Sequence, residues 1–181
     1  MATKLGMVNA ALSLLGESSI QEFTGDKGEA IDSIYKLVRD QLLSSNRWRF
    51  AVKKAAITVD STAPLNEFKY RHAVPSDLLL LIRVYGVSHY EVYEQWIYTD
   101  VSGIEVDYLY ASLEKNYPKY FEWAFVTELA YQLSIAITNN MGVTDRMEGR
   151  ARDAYLKAQH DDAQGRPSTA IRHRPFLDVR R

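Results

Sequence analysis

The chain has 181 residues, 46% hydrophobic and 25% charged, with a formal net charge of −1; this length and balance suit one domain with a sizeable core and argue against disorder throughout. A net charge so close to zero excludes a molecule that grips nucleic acid over its whole surface, so any such contact would need local asymmetry. With no cysteine, a disulfide framework, a thiolate zinc site and a cysteine nucleophile are excluded together.

The first residues, MATKLGMVNAALSLLGE, contain an apolar run that Asn9 and Ser13 interrupt. Its spacing is helical, which favours a mature helix over a leader peptide and implies synthesis and use, or assembly, in the cytoplasm. Leu5, Val8, Leu12 and Leu15 predict a helix from Thr3 to Leu15, ended by Gly16. Gly16, Gly25 and Gly28 follow in a polar connection, but no Lys-Ser or Lys-Thr pair closes a phosphate-loop pattern and no strand precedes it. A helix–helix loop is expected. The second helix is predicted from Asp26 to Ser45, with Ile31, Ile34, Tyr35, Val38, Leu42 and Leu43 inward and Asp32, Lys36, Arg39 and Asp40 outward. Trp48 and Phe50 are expected as core anchors; base-stacking platforms flanked by Arg47 and Arg49 are the alternative.

Between Ala51 and Ala111 the period changes to two. Phe68, Tyr70, His72 and Val74 describe a half-buried strand, Pro75-Ser76-Asp77 a turn, and LLLLIRVYG a more deeply buried strand. HYEVYEQWIYTD and GIEVDYLYA follow, parted by a turn at Asp100–Gly103, and Ala51–Val59 is a candidate to pair with them. These make a small antiparallel sheet inserted between two helical halves. Val87 to Tyr108 holds Glu91, Glu94, Asp100, Glu105 and Asp107 with no Lys or Arg, among many Tyr and Trp. Alternation is expected to spread these carboxylates over a solvated face that repels DNA or meets a partner protein. Glycosidase chemistry would need two of them paired across a cleft, and no His stands at metal-ligand spacing with them.

Pro118 to Thr138 is apolar on nearly every side and predicts the central helix of a bundle, with Trp123 and Phe125 as core anchors. Glu122, Glu128 and Gln132 interrupt it too often for a membrane span. Pro118 suits its first turn, and Asn140 and Gly142 its stop. A last helix, capped by Thr144, offers a narrow stripe of Met147, Ala151, Ala154 and Ala158 that permits close approach to the central one. His160 beside Asp161 and Asp162 is expected at a fraying end rather than in a catalytic pair. Residues 165–181 hold five arginines against Asp178 alone, with Pro167 and Pro175, and are expected to form an extended docking arm. A frayed tail, or a basic arm on nucleic-acid phosphates, are the alternatives. The expected fold is α+β: a helical bundle around a central apolar helix, formed by residues 1–50 and 117–164, with a β insertion at 51–116 and the arm beyond residue 164.

Taken in order, NAALSLLGE at 9–17, Tyr35 with RDQLLSSNRWRFAVKKAA at 39–56, EFKYRHAVPSDLLLLIRVYG at 67–86, WIYTD at 96–100 and ELAYQLSIAIT at 128–138 resemble the podovirus head-to-tail adaptor proteins, also called tail tubular protein A. The resemblance covers most of the chain up to about residue 160. It implies a structural virion protein at the head–tail junction, assembled in the host cytoplasm as a dodecameric ring between the portal protein and the tail nozzle protein. DNA would pass through the ring without specific binding; no enzyme activity, cofactor, metal or membrane is implied. The C-terminal arm would climb onto the portal, with Phe176 and Leu177 as apolar anchors, Arg172 and Arg174 facing portal carboxylates, and Pro175, Arg180 and Arg181 alongside. The competing functions are a nucleic-acid-binding protein using the basic arm and a cell-wall glycan hydrolase using Glu17, Glu91 or Glu94. Salt separates the first, because phosphate binding weakens steeply with it. A zymogram of Glu→Gln variants separates the second.

Overall fold

In a computed structural model, which describes residues 3–65, 67–138 and 140–165, the helix that is apolar all round is the one the others surround. This helix, α3 (Lys119–Ile137), packs against α1 (Lys4–Leu15), α2 (Gly25–Ser44) and α4 (Met141–Gln164). Its most extensive interface is with α4. There Met147, Ala151, Ala154 and Ala158 are all buried, and their small side chains let the two backbones approach closely. None of the described helices is long and apolar enough to cross a membrane.

The helix ends follow local chemistry. Thr3 caps α1 by accepting from the Gly6 N–H at 3.1 Å. Gly16, at φ 77°, closes it in the left-handed conformation that a side chain would disfavour. The glycine-containing connection is tied back onto α1, as Asn9 both donates to the Ile20 carbonyl (3.0 Å) and accepts from its N–H (2.9 Å). It is a clamped helix–helix loop. Gly28 lies so near the Phe23 backbone that a Cβ there would come within 2.7 Å of it. The last helix begins earlier than expected. Asn140, not Thr144, caps α4, accepting from the N–H groups of Gly142 (3.1 Å) and Val143 (3.4 Å). Thr144 instead turns back to Asn140 O and to Ser134. An Asn that halts one helix can thus start the next, being among the best N-cap residues.

Trp48 and Phe125 are fully buried, and Phe50 packs at the edge of the same cluster. Trp48 meets Phe121 edge-on at 5.0 Å and donates its Nε1–H to the Leu42 carbonyl at 2.7 Å. Trp123, expected among these anchors, is 52% exposed. Phe121, Phe125, Leu129 and Leu133 repeat every four residues along the inward side of α3. Trp123 follows Phe121 by two positions, which turns it roughly 200° round the helix and away from that stripe.

The β insertion forms two three-stranded antiparallel sheets rather than one. The first has the order β1 (Val52–Thr58), β6 (Gly103–Tyr110), β3 (Leu78–Tyr85), with Val52 opposite Leu109 and Thr58 opposite Gly103. The second has the order β2 (Tyr70–Ala73), β5 (Trp96–Thr99), β4 (Tyr90–Tyr93). The stretch HYEVYEQWIYTD folds on itself at Glu94-Gln95, and the hairpin so made takes β2 on its free side. A bridge between Val59 and His72 joins the sheets, and Val84, Ile97, Ile104, Val106 and Tyr108 fill a small core of their own. LLLLIRVYG is not the deepest strand. It lies at a sheet edge with two register shifts and Leu80 49% exposed, while β6, paired on both sides, holds the buried place.

Asp77 fastens the first sheet near the turn at Pro75. It accepts from Lys53 Nζ at 2.5 Å and from the Tyr108 hydroxyl at 3.0 Å. The Lys53 hydrogen bond, more than that of Tyr108, holds its carboxyl below the ordinary value of 3.8. A carboxyl depressed in the folded state stabilises above the unfolded value, and that contribution disappears as pH falls through the folded one. Melting temperature followed from pH 6 downward should therefore drop less steeply below about pH 4 in Asp77→Asn than in the parent. Both partners are partly exposed, so the difference is about 1 kcal/mol or less.

Candidate functional site

Two regions carry polar chemistry arranged in space. The first is the outward face of the β2–β5–β4 sheet. Strand register places Arg71, Tyr98 and Glu91 in one cross-strand row, and Ala73, Trp96 and Tyr93 in the next. The opposite face sends His72, Ile97 and Thr99 inward, each essentially without solvent. With Glu67 and Glu94 at the margin, the outward face encloses a groove of about 670 Å³. Arg71 lies over the Trp96 ring at 4.1 Å and pairs with Asp60 at 2.7 Å. Glu91 accepts from the Tyr93 hydroxyl at 2.6 Å. Glu94 stands at φ 54°, the left-handed region that non-glycine residues rarely occupy.

The structure thus brings Glu91 and Glu94 together and adds Glu67 to them. Glu17, also considered as a carboxylate for hydrolysis, lies elsewhere, pairing with Lys27 at 3.3 Å. Among the described residues no group of three or more His, Asp or Glu is placed to hold a metal. Asp107 departs from the expected solvated face. It is buried, accepts from the Tyr85 hydroxyl at 2.7 Å, and is approached by Lys54 at 3.5 Å and Arg47 at 3.8 Å. A strand paired on both sides leaves that carboxylate little water, and cations from outside β6 replace it. Asp100 accepts from the Lys69 N–H, and Glu105 stays exposed.

The second region is the end of α4, where the chain leaves the body. Asp162 is 2% exposed and accepts from the Tyr120 hydroxyl at 2.8 Å and from the Arg49 backbone N–H at 3.2 Å. Burial, and then this hydrogen bond to Asp162, push the Tyr120 phenol far above its ordinary range, so it remains a neutral donor. The fraying expected here is absent through Gln164. His160 does point outward, 3.6 Å from Asp161. Asp162 was legible in one respect: it continues the buried series 147, 151, 154, 158 by one more helical step. Tyr93, Trp96 and Tyr98 were legible too, since a two-residue turn keeps alternate positions of both strands on one face. Glu67 and Arg71 reach that face through pairings between distant segments, for which the sequence has no local signal.

The residues named for the arm, Arg172, Arg174, Pro175, Phe176, Leu177, Arg180 and Arg181, lie outside the described residues. No protein-family model matches the chain, and a search of curated proteins returns no match.

Proposed function

We propose that the chain is a structural virion protein, a head-to-tail adaptor that assembles as a ring between portal and tail nozzle and lets DNA pass through its middle. The observation that carries this reading is Trp123. It is the side chain of the central helix with most reason to be covered, yet it stands 52% exposed, and tryptophan is among the commonest anchors of protein interfaces. The stretches that resemble head-to-tail adaptors fall on α1, on the end of α2 through β1, on β2 and β3, on β5 and on α3. In this reading the helical body supplies lateral contacts, the sheets supply axial ones, and residues 165–181 dock on the portal. Each arm loses entropy when it becomes ordered, so one subunit binds weakly, whereas a ring on a single portal binds tightly through effective concentration.

Negative-stain imaging and sedimentation with purified portal test it. The protein alone should be monomeric or weakly associated and should form rings when portal is added. Trp123→Ala, which removes an indole only about half covered, should lower unfolding stability by about 1–2 kcal/mol yet prevent ring formation. Deleting residues 165–181 should abolish portal binding and leave the fold intact. Full decoration of the portal by the truncated protein would overturn the role given to the arm.

A further inference from the structure

We propose that the outward face of the β2–β5–β4 sheet holds the basic segment 166–181 of the same chain while no other partner is present. The face is unpartnered among the described residues, and its charge is complementary to that segment. Glu67, Glu91 and Glu94 line the groove, and Arg71, the one cation lining it among the described residues, is already paired with Asp60. The segment carries five arginines against one aspartate. The groove also shows how it takes a guanidinium, since Arg71 stacks on Trp96 there. Tyr93 and Tyr98, whose ring centroids are 5.9 Å apart, have no described cation over them. Among the described residues, Glu67 and Glu94 have no ion-pair partner. A segment with arginines at 172 and 174, followed by Phe176 and Leu177, offers charge for the carboxylates and apolar matter for the rings.

Reach is sufficient. The chain leaves α4 at Gly165, which lies against the Arg49 guanidinium, three residues before β1 begins. The second sheet lies at the other end of that strand, where Val59 bridges to His72. Seven residues of β1 span roughly 23 Å, and sixteen residues in extended form span roughly 50 Å. A segment tethered this way meets its own groove at millimolar effective concentration, well above the concentration of other copies in dilute solution. The hold is made of exposed charges, so it is weak and salt-labile. It therefore yields to a more acidic surface, and portal binding is disfavoured by the fraction of arms so occupied.

The chain has no cysteine, so Val179→Cys gives one attachment point for a nitroxide on the full-length protein. In the nitrogen-15 spectrum of this labelled protein, the Trp96 indole and the backbone amides of β4 and β5 should broaden, while those of α1 stay sharp. The broadening should vanish at ~1 M salt, where the Debye length is about 3 Å, and in the Glu67→Gln, Glu91→Gln, Glu94→Gln variant. Mixing isotope-labelled, nitroxide-free protein with nitroxide-bearing, isotope-free protein should produce none. An unbroadened sheet, broadening centred on the helices, insensitivity to the three Gln substitutions, or broadening of comparable size in the mixture would each overturn the proposal. The measurement needs no portal, so its failure leaves the connector reading where it was.

Discussion

Trp48→Ala is expected to lower unfolding stability by about 3–5 kcal/mol, a large fraction of the roughly 5–15 kcal/mol that holds an ordinary domain together. The side chain is without solvent, its ring meets Phe121 at 5.0 Å and Tyr155 at 6.0 Å, and its N–H satisfies the Leu42 carbonyl. Truncation opens a cavity between α2, α3 and α4 and removes one of that carbonyl's two donors, the Ser45 hydroxyl at 2.8 Å being the other. Trp48→Phe separates the two effects: most of the packing remains while the indole N–H is lost and the Ser45 hydroxyl still serves the carbonyl, for an expected loss of about 1 kcal/mol plus a small volume term. Urea unfolding followed by far-UV circular dichroism reads both. A Trp48→Ala midpoint close to that of Trp123→Ala would mean that the two tryptophans are not divided between core and surface.

Asp162→Ala is expected to lose about 2–4 kcal/mol, because it leaves the Tyr120 hydroxyl and the Arg49 N–H without their acceptor. Tyr120→Phe removes a donor instead, and the carboxylate keeps Arg49, so its loss should be nearer 1 kcal/mol. The double variant should lose less than the sum of the two, since the orphaned hydroxyl no longer exists in it. Strict additivity in denaturant titrations would show that the 2.8 Å contact couples nothing.

How much could be read beforehand depended on whether a residue's surroundings are built by its own element. Leu5 to Leu15, Ile31 to Leu43, and Met147 to Ala158 announce their helices because the stripe each buries is written within it. Gly16 and Asn140 mark ends by the same local chemistry. Hydrophobicity does not say which way the Trp123 side chain turns, and only the inward series Phe121, Phe125, Leu129, Leu133 settles that. The division into two sheets was hidden because pairing joins segments far apart: β1 with β6 across about fifty residues, β2 with β5 across about twenty-five. The burial of Asp107 is hidden for the same reason. Its cations come from Arg47 and Lys54, and nothing near position 107 foretells them. The groove was half visible, as alternation gave its aromatic rows while Glu67 and Arg71 arrived from another strand and loop.

The carboxylate of Asp162 also decides how the body would carry mechanical load. A pull on residues beyond Gly165 enters at the last turn of α4, where it would ordinarily peel a helix open from its end, one hydrogen bond at a time. Here the last turn is stapled to Tyr120 on α3 and to Arg49 at the root of β1, so the force divides between the helical layer and the first sheet. Opening that turn therefore requires the Asp162 contacts to break along with the helix's own hydrogen bonds.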